Sequence, residues 1–321
     1  MTSPGGPPAA PAPNDGQSHP PAGLAPLGPE QPRVSRLMDR LRLAGVLSVV
    51  GAVTLAGIPA QWISLKLGLD ARRHIPRLYH RILLRMIGVR VHVRGTPAAD
   101  RPLLILANHA SWLDIPVVGS LTPLFFVAKS EVAGWPLIGL LAKFQRTVFV
   151  DRQRRHATGA VNREIAGRLA DGDPVVLFAE GTSSDGNRVL PFRTALVGAA
   201  REAFAAGTEV VVQPLAVSYV RLQGLPMGRS HRPVAAWFGD MELAPHLMDV
   251  LRHGAIDVEV TFGAPVRLDA AHDRKSVTRE SEAIVRRLCA SALAGRADDQ
   301  ASPQPVQRLL PDAPTSGINA S

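Results

Sequence analysis

Residues 103–114 read Leu103-Leu104-Ile105-Leu106-Ala107-Asn108-His109-Ala110-Ser111-Trp112-Leu113-Asp114, and this stretch decides how the chain folds. A short unbroken apolar run is what a strand buried on both faces requires. It ends on Asn108, a residue suited to turns, and a histidine and a carboxylate follow closely. In α/β proteins the edge where strands give way to turns is where chemistry is placed. The carboxylate can fix one imidazole nitrogen and leave the other free to accept a proton from a hydroxyl. A second stretch repeats the design, with Val175-Val176-Leu177 running into Phe178-Ala179-Glu180-Gly181-Thr182.

Outward from these two stretches the chain alternates strand-like and helix-like runs. Val89, Val91 and Val93 alternate with Arg90, His92 and Arg94, the pattern of a half-exposed strand. Further strand-like runs fall at 102–107, 124–128, 147–150, 174–179, 210–217, 233–238 and 256–262. Helical spacing falls at 111–120, 136–145, 155–171, 193–206 and 275–293. Such alternation predicts an α/β layered domain with a largely parallel sheet flanked by helices. No internal repeat or linker divides it.

The 321 residues, 46% of them hydrophobic, suffice for one core with tails to spare. Residues 1–33 are dominated by Pro, Gly, Ala and Ser, and 297–321 are similar; neither can offset the entropy of ordering, so both are expected to be disordered. Between them lie an expected membrane-embedded helical segment at 34–88 and a catalytic domain at 89–296. The single cysteine, Cys289, excludes an internal disulfide and fits a reducing compartment. The start of the chain shows no signal-peptide pattern.

The net charge of +9 suits nucleic acid or an anionic membrane surface, and its placement discriminates. Arg33, Arg36, Arg40 and Arg42 precede an apolar stretch, and Lys66, Arg72, Arg73, Arg77, Arg81, Arg85 and Arg90 follow it. Aromatic residues make up 5% of the chain and do not interleave with basic ones as base-stacking surfaces do, so nucleic acid is not an expected partner. Leu43 to Leu65 carries no charge. At about 1.5 Å per residue it is long enough for a hydrocarbon core of about 30 Å. Gly45, Gly51, Gly57 and Pro59 interrupt it and basic residues flank both ends. Two readings stay open, a segment that dips into one leaflet and turns near Gly57-Ile58-Pro59, or a plain anchor helix. Residues 74–90 then place Ile75, Leu78, Ile82, Leu83, Met86 and Ile87 at helical spacing with arginines between, the pattern of a basic helix lying in the headgroup plane or of an ordinary core-facing helix with a solvated arginine face.

Together these blocks resemble the glycerolipid acyltransferase family, whose best-known members are bacterial 1-acylglycerol-3-phosphate O-acyltransferases. The family's first signature, a histidine and an aspartate separated by four residues, is matched by His109 and Asp114. Its second region is matched by Val148-Phe149-Val150-Asp151-Arg152, its third by Glu180-Gly181-Thr182, and its fourth by Val212-Gln213-Pro214-Leu215-Ala216. The order and spacing agree over roughly residues 75–270.

The resemblance implies acyl transfer to a lysolipid hydroxyl, with acyl-CoA or acyl-carrier protein as cosubstrate and no cofactor. His109 is the expected base, and Asp114 holds its tautomer as the aspartate of a triad does. The nucleophile is then the acceptor's own hydroxyl, in keeping with the lack of a Gly-x-Ser-x-Gly elbow. No metal is expected, because no further His or Cys ligands cluster near the pair. A structural alternative stays open for the pair, since Ser111-x-x-Asp114 also reads as a capping box.

Acceptor binding is expected at Arg152, whose guanidinium can grip phosphate in a fork, at Glu180, Gly181 and Thr182, and at Lys129. Phosphate-accepting members continue Glu-Gly-Thr with Arg-Ser, whereas here Ser183-Ser184-Asp185-Gly186-Asn187-Arg188 follows, so Arg188 or Arg193 would have to substitute. This run looks like that of bacterial members acylating lyso-ornithine lipid, an amino-acid lipid whose free ammonium would suit Asp185. The leading expectation is 1-acylglycerol-3-phosphate as acceptor, giving phosphatidic acid in phospholipid biosynthesis. Lyso-ornithine lipid is its rival, and a non-enzymatic protein binding anionic membrane lipids is the alternative of another class. The expected location is the inner membrane, with the site at the cytoplasmic face.

Overall fold

The computed structural model describes residues 33–100, 102–150, 158–170, 172–197, 210–268 and 274–296. Residues 1–32 of the expected leader, the expected tail 297–321, Arg152, and positions 198–206 of the helix expected over 193–206 lie outside the described residues. The body comprises Arg42–Ser321; Met1–Leu41 is a separate unit, described only in the first turns of one helix.

Two helices lead the chain, α1 (Arg33–Lys66) and α2 (Ala71–Ile87). There follow β1 (Val89–Arg94), β2 (Leu103–Ala107), α3 (Asp114–Gly119), β3 (Phe125–Lys129), α4 (Ile138–Phe144), β4 (Val148–Val150), α5 (Thr158–Ala170) and β5 (Val175–Phe178). The second half holds β6 (Val210–Leu222), β7 (Leu225–Pro226), α6 (Leu243–His253), β8 (Ile256–Phe262), β9 (Val266–Leu268) and α7 (Arg274–Leu293). The strands form one sheet in the order β1-β8-β6-β2-β5-β3-β4, with β7 and β9 added along β6. From β6 to β4 neighbouring strands are parallel, whereas β8 crosses back antiparallel to β6.

All five residues of β2 are buried, as a strand covered on both faces demands. Its alternate side chains feed two apolar layers. Leu103, Ile105 and Ala107 pack with Leu84 and Ile87 of α2, Val117 of α3 and Val250 of α6. Leu104 and Leu106 pack with Ile165 and Leu169 of α5 and Val277 and Val285 of α7. The parallel strands therefore end together, and one sheet edge collects the loops after β2, β3 and β5.

Two local expectations are corrected, and of the two readings open for 43–65 the continuous helix is the one that forms. No turn forms at Gly57-Ile58-Pro59; α1 runs on through Pro59, whose missing N–H falls on an exposed face. The expected strand at 233–238 is instead a short 3₁₀ turn, Arg232–Val234, followed by irregular chain, because Pro233 has no N–H to lend to a ladder. The expected helix at 111–120 starts only at Asp114, since the preceding backbone is taken up with that residue's own carboxylate. Helix α6 had no counterpart among the expected elements.

Candidate active site

Strand β2 pairs with β6 up to Ala107 and Leu215, and there the backbone ladder stops. Asn108 continues it with its side chain: Nδ2 donates to the Val217 carbonyl at 2.9 Å and Oδ1 accepts from the Val217 N–H at 2.8 Å. The amide mimics one more rung, so the main chain is free to turn at His109.

Asp114 is fully buried and accepts four hydrogen bonds. Oδ2 takes His109 Nδ1–H at 2.8 Å, the Ala110 N–H at 2.7 Å and the Ser111 N–H at 2.9 Å. Oδ1 takes the Tyr219 hydroxyl at 2.6 Å. A carboxylate so placed only accepts, which puts the imidazole hydrogen on Nδ1 and the lone pair on Nε2. The His109 ring stacks on Phe178 at 4.3 Å between centroids, so one face of the imidazole is covered while its side chain keeps 20% exposure. Burial, with the Asp114 charge beside it, holds the Tyr219 phenol well above its ordinary range, and it remains a donor.

The loop after β5 closes on the same point. Ala179 N–H donates to the Ala107 carbonyl, and Ser184 N–H donates to the His109 carbonyl at 2.9 Å. Gly181 sits at φ +74°, a left-handed conformation that favours glycine, and so permits the reversal immediately after Glu180. Glu180 is 1% exposed; burial pushes its carboxyl up to about 8, against the opposing pull of the His109 and Leu190 N–H groups. With its value raised to about 8 it keeps its proton at pH 7, beside the His109 backbone N–H.

The other expected contacts divide. Thr182 lies exposed in the loop beside Gly181. Arg193 is drawn into that loop's own architecture, donating from Nε to the Glu180 carbonyl at 3.2 Å. Arg188 is exposed and lines a cavity of about 210 Å³ with Asn108, Ser218, Arg286 and Cys289. Lys129 ends β3 on the same sheet edge, with β5 between it and the His109 strand. Asp185 binds its own neighbour Asn187, accepting from its N–H at 3.0 Å, and buried Arg232 clamps Asn187 at 2.6 Å. Among the described residues no three His, Cys, Asp or Glu side chains group as metal ligands.

Two residues of this arrangement escaped the sequence reading. Tyr219 lies within an uninterrupted strand pattern, 105 residues from the carboxylate it binds. Phe178 reads as the end of a buried strand until its ring is seen under the imidazole.

A family model described as Acyltransferase matches residues 88–218. A lyso-ornithine lipid O-acyltransferase of Brucella abortus is 49% identical over 262 residues, 81% of this chain and 98% of that one. A 1-acyl-sn-glycerol-3-phosphate acyltransferase of Neisseria gonorrhoeae is 31% identical over 198 residues, 61% of this chain and 73% of that one. The crystal structure of the 1-acyl-sn-glycerophosphate acyltransferase from Thermotoga maritima aligns with a TM-score of 0.53 at 21% identity, covering 83% of this chain and 98% of that one, a likeness of fold.

Proposed function

The chain belongs to the acyltransferase family, and from that premise we propose that it esterifies the hydroxyl of lyso-ornithine lipid, with acyl-CoA or acyl-carrier protein as donor. His109 Nε2 takes the hydroxyl proton while the acceptor oxygen bonds to the acyl carbon. The C–S bond breaks, and the imidazolium returns the proton to the departing thiolate. Asp114 and Tyr219 hold the ring for both transfers. Family membership sets aside the non-enzymatic lipid-binding alternative.

The observation that carries the acceptor is Ser183. It stands beside Ser184, whose N–H holds the His109 carbonyl, so this loop position lies next to the His109 backbone. Phosphate-accepting members carry arginine there; here the position is uncharged, and Asp185 lies nearby to meet an ammonium. The extensive likeness to a lyso-ornithine lipid O-acyltransferase supports the same order. The acceptor first expected, 1-acylglycerol-3-phosphate, becomes the second reading, favoured by Arg188 and Arg286 in the cavity beside Asn108.

Residues 89–296 act as the catalytic part, and 34–88 hold it at the cytoplasmic face of the inner membrane, where both thioester donors are found. Arg40–Lys66 is long and apolar enough to cross a membrane. One stripe of α1, through Leu43, Val46, Thr54, Gln61 and Ser64, is at least partly buried. The outward face carries Leu47, Val49, Leu55, Trp62 and Ile63, all exposed and suited to lipid.

The test supplies purified protein with labelled acyl donor and with lyso-ornithine lipid or lysophosphatidic acid side by side. Ester should form on lyso-ornithine lipid, and Ser183→Arg should move turnover toward the phosphate acceptor. Turnover on lysophosphatidic acid alone would reverse the order.

A further inference from the structure

A second polar site lies at the opposite edge of the sheet, away from every residue placed at the acyl-transfer site. A cavity of about 310 Å³ is walled by Pro76, Pro123, Phe125 and Pro174 and lined by Arg72, Arg73 and Arg77. Pro174 enters this cavity and Phe178 stacks on His109, so the two sites bracket β5. Four residues of extended strand separate them by about 13 Å. The cavity therefore lies too far from His109 to hold the reacting hydroxyl.

Its charges do not balance internally. Asp173 is buried and shared by two cations, Arg73 at 3.0 Å and Arg146 at 3.6 Å. Asp70 faces His74 at 3.2 Å. Arg72 donates only to the Gly68 and Leu69 carbonyls, and Arg77 only to the Ser120 carbonyl, among the described residues. Two guanidinium groups thus line one cavity without a carboxylate partner. Crowding is evident in their neighbours: burial and the adjacent Arg81 pull Arg77 below its ordinary range, and Arg146 is lowered by burial and then by Arg168. An anion entering here would meet forked donors and relieve that repulsion.

The surroundings say what carries the anion. Leu67 and Leu69, immediately before Asp70, are 67% and 45% exposed. Trp62 and Ile63, one turn earlier, are exposed on the outward face of α1. A basic cavity whose lining begins directly after an exposed apolar stretch of chain is matched by an amphiphile with a charged head and hydrocarbon tails. A free anion has no use for that stretch.

We propose that this cavity binds the phosphate of an anionic membrane phospholipid, apart from the acyl-transfer site. Arg72 and Arg77 grip the phosphate oxygens, and Leu67, Leu69 and the outer face of α1 meet the chains. The assignment is independent of which acceptor is acylated at His109.

Full-length protein in mild detergent would be mixed with vesicles of phosphatidylcholine, alone or with phosphatidylglycerol, and bound protein measured by flotation. The variants are Arg72→Gln with Arg77→Gln, and separately Thr122→Glu, which sets a carboxylate on the cavity wall without disturbing either arginine. Arg90→Gln, an exposed arginine elsewhere, controls for net charge. Loss of about fivefold per arginine is expected for phosphatidylglycerol vesicles, so roughly 25-fold for the double variant. Binding to phosphatidylcholine alone, and acyl transfer in detergent, should be unchanged. Thr122→Glu should weaken phosphatidylglycerol binding likewise, and the control should stay within about twofold. Wild-type binding by both cavity variants would overturn the proposal. A melting shift with inorganic phosphate that needs Arg72 and Arg77, without any change in vesicle binding, would mean a free-anion site and also overturn it. Loss of acyl transfer in wild-type protein would count against the proposed reaction and leave the vesicle result standing.

Discussion

At one edge of the sheet a buried carboxylate gathers four donors and holds an imidazole; at the other, half-exposed arginines outnumber the carboxylates they face. Both edges are polar and both belong to β5, yet they are built on opposite terms. Around Asp114 each contact is directional, short and dry, so geometry is fixed before any substrate arrives. Around Asp173 the ion pairs are longer, 3.0 and 3.6 Å, and charge rather than direction does the selecting. The first arrangement suits a reaction that must be aimed. The second suits a surface that must be found.

That contrast can be broken most sharply at His109. His109→Ala should lower acyl transfer by roughly 10³–10⁴-fold with the melting temperature nearly unchanged, because the ring is an outer group of the network. Assay of purified wild-type and variant protein decides it; retained turnover would remove the base from the mechanism. Asp114→Asn should cost about 10²–10⁴-fold in kcat and destabilise the protein as well, since an amide NH₂ would face one of the donors now satisfied.

Tyr219→Phe tests whether the fourth donor matters. It should reduce kcat about tenfold and stability by about 1–3 kcal/mol, while the acceptor KM stays constant. A rise in KM alone would make the tyrosine a binding residue instead.

Glu180 gives a smaller effect with a definite sign. Its native carboxyl titrates near 8, above the ordinary value of 4.5, so the folded protein keeps a proton that the unfolded chain releases. Stability from this group is fully present below about pH 4.5 and is lost as pH rises through about 8. Melting curves from pH 5 to 8.5 should therefore fall more steeply for wild type than for Glu180→Gln. Parallel curves would show that the carboxyl is ionised in the folded state. The opposite edge should show the mildest signature: added salt should weaken anionic-vesicle binding and leave detergent-phase kcat almost untouched.

How much of this was legible beforehand follows the range of the interaction. The buried strand 103–107, the His109–Asp114 spacing and the Glu180-Gly181-Thr182 turn are local patterns, and each took its expected structure. Proline in α1 left two readings open, because a helix can run past one missing hydrogen bond. The segment 233–238 misled in the other direction: its apolar residues suggested a strand, but Pro233 and the bond from Trp237 N–H to the Ala110 carbonyl bind it as a brace beside the site. The Tyr219–Asp114 bond had no local signal at all.

By itself, then, the sequence determined the alternation of strands and helices, the position of the imidazole at a strand end, and the apolar helix that leads the chain. These depend on periodicity and neighbour chemistry, which a run of a few residues carries within it. Only the tertiary structure decided which four donors meet on Asp114, that Asn108 stands in for a rung of the ladder, and that arginines of α2 face the loop before β5. Those facts depend on sheet order and register, which bring residues far apart in the chain into contact and which no short stretch encodes.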